Sequence, residues 1–240
     1  MTSVDFMNPD EPNFIFNGIN AVMDMQLIIE NELPEISPHQ RVEEIETLGR
    51  SGSLHEWFGD YAPYDFQVKD ITCPFNMLAE VKSWLRGRGK LITHNDLDKY
   101  RDVRCSTSSP TQFQNEWGIF YTFDITFRSQ PFKKRLSEPT MPIIKGKNVR
   151  SNPGQEISKP YFLIEATGGD FTITIGSRSL TVINALPGIV EINTEFGKVT
   201  QEKSLLRKKG SWPISTPGIN EIILTGNATK GLMEFGAVYL

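Results

Sequence analysis

The sequence predicts a mainly β protein in two parts: a mixed domain over residues 1–136 carrying one helix, and an all-β sandwich over residues 137–240. Three observations predict it. Apolar residues alternate at period two through most of the chain. A single stretch, "CPFNMLAEVKSWLRGRGK", breaks into a 3.6-residue repeat. Beyond a segment rich in proline and glycine, short strands recur at even intervals with glycine turns between them.

Each element has its own justification. "NFIFNGI" predicts a short strand with Phe14 and Phe16 on one face, stopped by Gly18. "VMDMQLIIENEL" alternates at Met23, Met25 and Leu27 and predicts a second strand. "YDFQVKDIT" sets Tyr64, Phe66, Val68 and Asp70 against Asp65, Gln67, Lys69 and Ile71. "GIFYTFDITFRSQPF" predicts the longest strand, with Ile119, Tyr121, Phe123, Ile125 and Phe127 on one face. Its other face, Phe120, Thr122, Asp124, Thr126 and Arg128, suits a half-wet surface. In the helix, Phe75, Leu78, Val81 or Lys82, and Leu85 fall near a 3.6-residue repeat, Pro74 fits the first turn, and Gly87 or Gly89 can end it. Trp84 and Leu85 are expected to pin it to a sheet. Residues 136–160, with prolines at 139, 142, 153 and 160, read as a boundary loop. After them "YFLIEAT", "DFTITI", "SLTVIN", "IVEINT", "NEIILTG" and "LMEFGAVYL" predict the strands of a sandwich. Turns are expected at Gly168-Gly169, Gly176-Ser177, Leu186-Pro187-Gly188, Phe196-Gly197 and Pro217-Gly218.

With 38% hydrophobic and 22% charged residues among 240, the composition is that of a soluble globular chain. No apolar run is long enough to span a bilayer, so no membrane partner is expected, and "MTSVDFMNPDEPN" does not read as a secretory signal. Cys73 and Cys105 are too few for a disulfide framework and too far apart for a usual metal site, and read as two reduced thiols. Charge is uneven. Residues 1–60 carry twelve acids against Arg41 and Arg50, a balance of −10, so the remaining 180 must carry +6 to reach −4.

"EIETLGRSGSLHEWFGDY", residues 44–61, gathers glycines, serines, an arginine and a histidine. It is not a phosphate loop, because Gly52 is followed by Ser53-Leu54 rather than by lysine. It is not a nucleophile elbow, because Ser53 stands where Ser51 would need its second glycine. Gly49 and Gly52 bracketing Arg50-Ser51 between apolar segments predict a tight hairpin tip. Ile45, Leu48, Leu54, Trp57 and Phe58 are more apolar surface than two strands can bury alone. They must fold back on their own domain or pack against a neighbouring subunit.

Other chemistry finds little support. His39, His55 and His94 form no ligand spacing. "THNDLDKY" offers His94, Asp96 and Asp98, but a polar loop entering a short helical turn capped by Asn95 accounts for it better than a metal. No catalytic constellation, cofactor motif or metal set is expected. The basic clusters "RGRGK", "FKKR" and "LLRKKGSW" are scattered over an acidic chain, which argues against specific nucleic-acid binding.

The order of parts resembles the distal tail proteins (Dit) of siphophages and related prophages. The resemblance is carried by "FIFNGI", "RVEEIETLGRSGSL", "AEVKSWLRGRGKL", "NPGQEISKPYFLIEATGGDFTITIGSRSL", "INTEFGKV" and "PGINEIIL" in that order, over nearly the whole chain. Asn193, where an aspartate is expected, and the ending "EFGAVYL", without a basic finish, depart from the pattern.

The resemblance implies a tail-tube-like N-terminal β-sandwich with one flanking helix and a protruding hairpin, followed by a galectin-like β-sandwich. It implies a hexameric ring at the virion tail tip, assembled in the bacterial cytoplasm. The ring would join the tail tube protein to the tip protein, a tail-associated lysin, with a channel through which DNA passes without specific binding. Receptor-binding proteins would dock on the second domain. Ile45, Leu48, Gly49, Arg50, Gly52, Leu54 and Trp57 would then form a joint between subunits. Glu43, Glu44 and Glu46 would suit a channel that must not retain a polyanion. The competing reading is a carbohydrate-binding adhesion module, with Trp212 as the residue to stack on a sugar.

Overall fold

Two strongly alternating segments, Tyr64–Pro74 and Phe120–Arg135, meet along their length in the first sheet. The computed structural model describes residues 7–105 and 110–240, so Asp5 of the acidic segment lies outside the described residues. The chain divides into two compact units, the first running to Lys133 and the second from Lys134 to Tyr239.

The first unit contains β1 (Phe14–Phe16), β2 (Ile19–Asn20), β3 (Ile28–Ile29), β4 (Gln40–Glu46), β5 (Ser53–Tyr61) and β6 (Tyr64–Pro74). A 3₁₀ turn (Phe75–Met77) leads into α1 (Leu78–Trp84), followed by β7 (Arg88–Thr93), β8 (Lys99–Cys105), β9 (Gln114–Glu116) and β10 (Phe120–Arg135). The main sheet runs β2-β1-β7-β8-β10-β6-β3, with β9 also on β10, while β4 and β5 pair only with each other. One face of this sheet buries Phe14, Phe16, Phe66, Val68, Leu91, Val103, Phe123, Ile125 and Phe127 beneath Val81 and Trp84 of α1.

Local chemistry explains where this unit departs from the expected strands. Residues 22–25 turn instead of extending, because Asn20 Oδ1 accepts the N–H groups of Val22 (3.0 Å) and Met23 (2.9 Å). Asp70 is exposed with a φ of 55°, so the expected inward face of β6 changes phase there and Ile71 and Cys73 are buried instead. A bulge between Phe123 and Ile125 of β10 marks the same point, and Asp124 Oδ1 accepts the Asp70 N–H at 2.9 Å. Ile119 lies in the turn before β10 and is exposed. The helix is short, Phe75 stays half exposed, and Gly89 belongs to β7, leaving Gly87 (φ 76°) to follow the helix end. Trp84 pins α1 as expected: its Nε1–H donates to Phe16 O at 2.9 Å and its ring stacks on Phe14 at 5.6 Å.

The second unit contains β11 (Met141–Ile144), β12 (Gly146–Asn152), β13 (Tyr161–Ile175), β14 (Arg178–Ala185), β15 (Gly188–Asn193), β16 (Lys198–Gln201), β17 (Ser204–Leu205), β18 (Arg207–Gly210), β19 (Gly218–Glu234) and β20 (Val238–Tyr239). The expected boundary loop holds two strands, β11 and β12, laid end to end along the same edge of β19. Pro142 is tolerated there because an edge strand need not donate from both sides. The turn expected at Gly168-Gly169 is instead an interruption inside the long strand β13, and "NEIILTG" and "LMEFGAVYL" share one strand, β19, through Glu234. Both long strands bend at matching bulges, so each contributes to two layers. The layers enclose one core of Phe162, Ile164, Phe171, Ile173, Leu180, Val182, Val190, Ile192, Ile222 and Leu224. That is a β-sandwich, and the protein is mainly β throughout. Among the described residues no helix is long and apolar enough to cross a membrane.

Candidate assembly hairpin

The hairpin of β4 and β5 pairs Val42 with Trp57, Glu43 with Glu56, Glu44 with His55 and Ile45 with Leu54. Its tip turns between Glu46 and Ser53, where Gly49 and Gly52 adopt φ of 84° and 83°, conformations an L side chain rarely takes. The Arg50 N–H donates to Thr47 O at 3.2 Å. Period two puts Val42, Glu44, His55 and Trp57 on one face and Glu43, Ile45, Leu54 and Glu56 on the other.

Neither face folds back on the domain. Every residue of β4 is exposed, Trp57 and Phe58 leave 54% and 60% of their surface accessible, and Leu48 at the tip is fully exposed. Of the two alternatives the apolar residues posed, the structure excludes burial within the chain's own domain. An isolated two-stranded ribbon with apolar groups on both faces has a strong drive to be covered.

The root of the hairpin is held firmly. At its base the Ala62 N–H donates to His39 O at 3.0 Å, Arg41 pairs with Asp60 at 3.2 Å, and Tyr61 meets the Phe132 ring edge-on at 5.1 Å. The segment leading in is anchored by three consecutive contacts. Glu32 pairs with the buried His94 at 2.9 Å, Leu33 is buried, and Glu35 receives both Arg101 (3.0 Å) and Lys133 (2.7 Å). Arg101 is buried and also donates to Tyr64 Oη and Thr93 Oγ1. These anchors were not legible in the sequence: Arg101 occupies an inward position of β8 that reads as polar.

The "THNDLDKY" loop belongs to the same network. Lys99 bridges Asp96 (2.8 Å) and Asp98 (2.9 Å), and Lys133 reaches Asp96 at 3.0 Å. Two ammonium groups thus occupy the place a cation would take, and among the described residues no group of His, Cys, Asp or Glu is arranged to hold a metal. Asn95 does not cap a helical turn; its side chain donates to Leu33 O at 3.1 Å. Burial alone would raise the Asp96 pKa, but hydrogen bonds from Lys99 and Lys133 outweigh it and hold the carboxyl below its usual value. Lys99 is likewise lowered by burial but raised overall by its two carboxylates.

A carboxylate whose folded pKa is depressed contributes stability above its unfolded value, near 3.8 for Asp96, and loses it as pH falls through the folded value. Asp96→Asn is expected to lower stability at neutral pH and to flatten its decline below about pH 4. Urea midpoints of both chains between pH 7 and pH 3 check this; parallel curves would contradict it.

The remaining candidate residues lie apart. On the hairpin Ser53 Oγ is 3.4 Å from His55 Nε2, and His55 Nδ1 is 3.7 Å from Glu44. Both contacts are longer than a well-formed nucleophile–base hydrogen bond, and the groups are exposed to solvent. Trp212 packs partly buried against the sandwich core, and the Lys208 ammonium sits 4.2 Å from its ring centroid. Cys73 and Cys105 are buried free thiols, and burial pushes Cys105 up to about 11, far from a reactive thiolate.

No family model and no curated protein matches the sequence. Among solved structures the chain is similar to the crystal structure of the Dit protein (gp 19.1) of phage SPP1, described as a paradigm of the hub adsorption apparatus in phages infecting Gram-positive bacteria. The identity is 11%, the TM-score is 0.72, and the match covers 93% of this chain and 98% of that one. At so low an identity the likeness speaks for the fold, and it spans both units: this chain has the fold of the SPP1 Dit protein, a phage hub protein.

Proposed function

We propose that this chain is a distal tail protein, a structural hub in which six copies close into a ring at the tip of a phage tail. One observation carries the reading: a hub protein's fold presents a firmly rooted hairpin whose apolar residues have no cover within their own chain. In the ring, Ile45, Leu48, Leu54 and Trp57 lie against the neighbouring copy, with Gly49, Arg50 and Gly52 shaping the tip. Burying each large side chain is worth roughly 1.5–3 kcal/mol, repeated at six joints, against the cost of association. The ring joins the tail tube to a tail-associated lysin below and leaves a channel for DNA. The second unit serves as a galectin-like platform for receptor-binding proteins.

Light scattering on the purified chain is expected to give about 163 kDa, six times the 27.2 kDa of one copy. Leu54→Glu is expected to reduce that mass to a monomer's while leaving the far-UV circular dichroism unchanged. A ring that survives Leu54→Glu would place the joint elsewhere. A chain that stays monomeric but binds cell-wall glycans, with loss of binding in Trp212→Ala, would favour the adhesion reading.

A further inference from the structure

The first unit carries a second apolar projection, at the turn between β9 and β10. Outside the β4–β5 hairpin, Trp117 and Ile119 are its two most exposed large apolar side chains, at 94% and 70%. Trp117 holds a φ of 57°, a conformation that a bulky L residue adopts at a cost. Three hydrogen bonds keep the turn in that shape. The Gly118 N–H donates to Asn115 Oδ1 at 2.8 Å, the Ile119 N–H to Glu116 O at 3.0 Å, and the Phe75 N–H to Ile119 O at 3.3 Å. Beside it the half-exposed Phe75 stacks on Tyr121 at 5.5 Å. Strain held in place by its surroundings, with a tryptophan left bare, marks a preformed contact point.

The hairpin tip is its counterpart. Leu48 is fully exposed, and Arg50 is exposed two residues on. With both Leu48 and Trp117 bare, neither covers the other within one chain. The seven residues of β4 carry the tip about 23 Å from its root at roughly 3.3 Å per residue, far enough to reach a neighbour. Charge is complementary as well. Among the described residues no ion pair or side-chain hydrogen bond engages the side chains of Arg50 or of Glu116, the residue before Trp117. The charged groups that flank them are Glu46 at the foot of the tip, and Glu80 and Lys82 of α1 beyond Phe75. Glu46 stands opposite Ser53 across the ribbon, while Glu80 and Lys82 cancel in charge, with Lys82 over the Phe113 ring at 4.9 Å.

We propose that the hairpin tip of one copy seats on the β9–β10 turn of the next, Leu48 against Trp117 and Ile119 and Arg50 on the Glu116 carboxylate. This rests on the ring reading and names the surface that receives the hairpin. Projection and seat are different parts of one unit, so the contact is heterologous, and a rotation that closes turns it into a ring rather than a dimer. The turn is already shaped, so little ordering opposes the contact. A charge-assisted bond from Arg50 to Glu116 beside the apolar contact fixes where along the turn the tip sits.

The test uses the full chain. Trp117→Gly removes the aromatic anchor and the backbone strain together. It is expected to weaken assembly roughly tenfold or more. Its thermal midpoint, read at a dilution where the native chain is also monomeric, is expected to stay level or rise. A residue needed only for folding would lower that midpoint instead. Arg50→Glu and Glu116→Arg are each expected to weaken assembly at low salt, and the two together in one chain to recover it. Light scattering over a dilution series reads the mass in each case. If the native chain assembles and Trp117→Gly assembles equally well, or the double reversal recovers nothing, this seat is overturned and the ring reading stands with its joint elsewhere. If Trp117→Gly loses binding to phosphatidylcholine vesicles with assembly unchanged, the turn belongs to a lipid surface and the proposal falls. A native chain that stays monomeric at high concentration overturns it too, and the ring reading is then judged on assembly with the tail tube protein.

Discussion

Trp84→Ala is expected to destabilise the first unit by about 3–5 kcal/mol, the usual cost of emptying a buried aromatic site. The indole is almost fully buried, stacks on Phe14, leans on Phe16 and donates its N–H to the Phe16 carbonyl. It is also the last residue of α1 and, with Val81, one of the two buried side chains tying that short helix to the sheet. Removing it leaves a cavity and an orphaned carbonyl together. Trp84→Phe should retain most of the stacking and lose only about 1 kcal/mol for the hydrogen bond. Urea unfolding of the three chains gives the order native, Phe, Ala; an alanine variant within 1 kcal/mol of native would contradict this account of how α1 is held.

The second large effect belongs to the sandwich. Gly226→Ala is expected to cost about 3 kcal/mol, combining the 1–2 kcal/mol of a left-handed L residue with overpacking. Gly226 has a φ of 83°, and an added Cβ would stand 2.6 Å from Asp170 O and 2.8 Å from the Phe171 Cα, both backbone atoms that cannot swing aside. This is where β19 bends with β13, so relief of the clash must open the joint between the two layers. Gly218→Ala is the matched control. It starts the same strand with a φ of 80° but has nothing within 4 Å, and it should cost only the backbone term. Equal losses at both positions would show that packing against β13 plays no part.

How much of this was legible depended on whether the deciding interaction was local. Phe66, Val68, Phe123 and Phe127 announced their sheet because alternation and burial coincide. The hairpin tip was legible from Gly49 and Gly52, since only the turn needs their backbone freedom. Met23 and Met25 misled because one asparagine side chain, Asn20, outcompeted the strand ladder. Pro142 and Gly146 misled because edge position, which makes proline harmless, is a tertiary fact. The root cluster around Glu35 and Arg101 was hidden for a related reason: its members come from sequence positions 66 apart and meet only after the sheet forms.

The return leg of the hairpin has a mechanical meaning. β5 passes through Ala62 and Pro63 almost directly into β6, which is laddered to β10 by nine residue pairs from Tyr64 to Pro74. Ladder bonds lie perpendicular to the strands, so a pull along β6 loads them all together in shear rather than one after another. The outgoing leg is instead tethered point by point at Glu32, Leu33 and Glu35. Tension arriving at the hairpin would thus travel down a stiff spar into the long β6–β10 ladder, while the other leg yields stepwise, giving each copy a strong side and a compliant side under load.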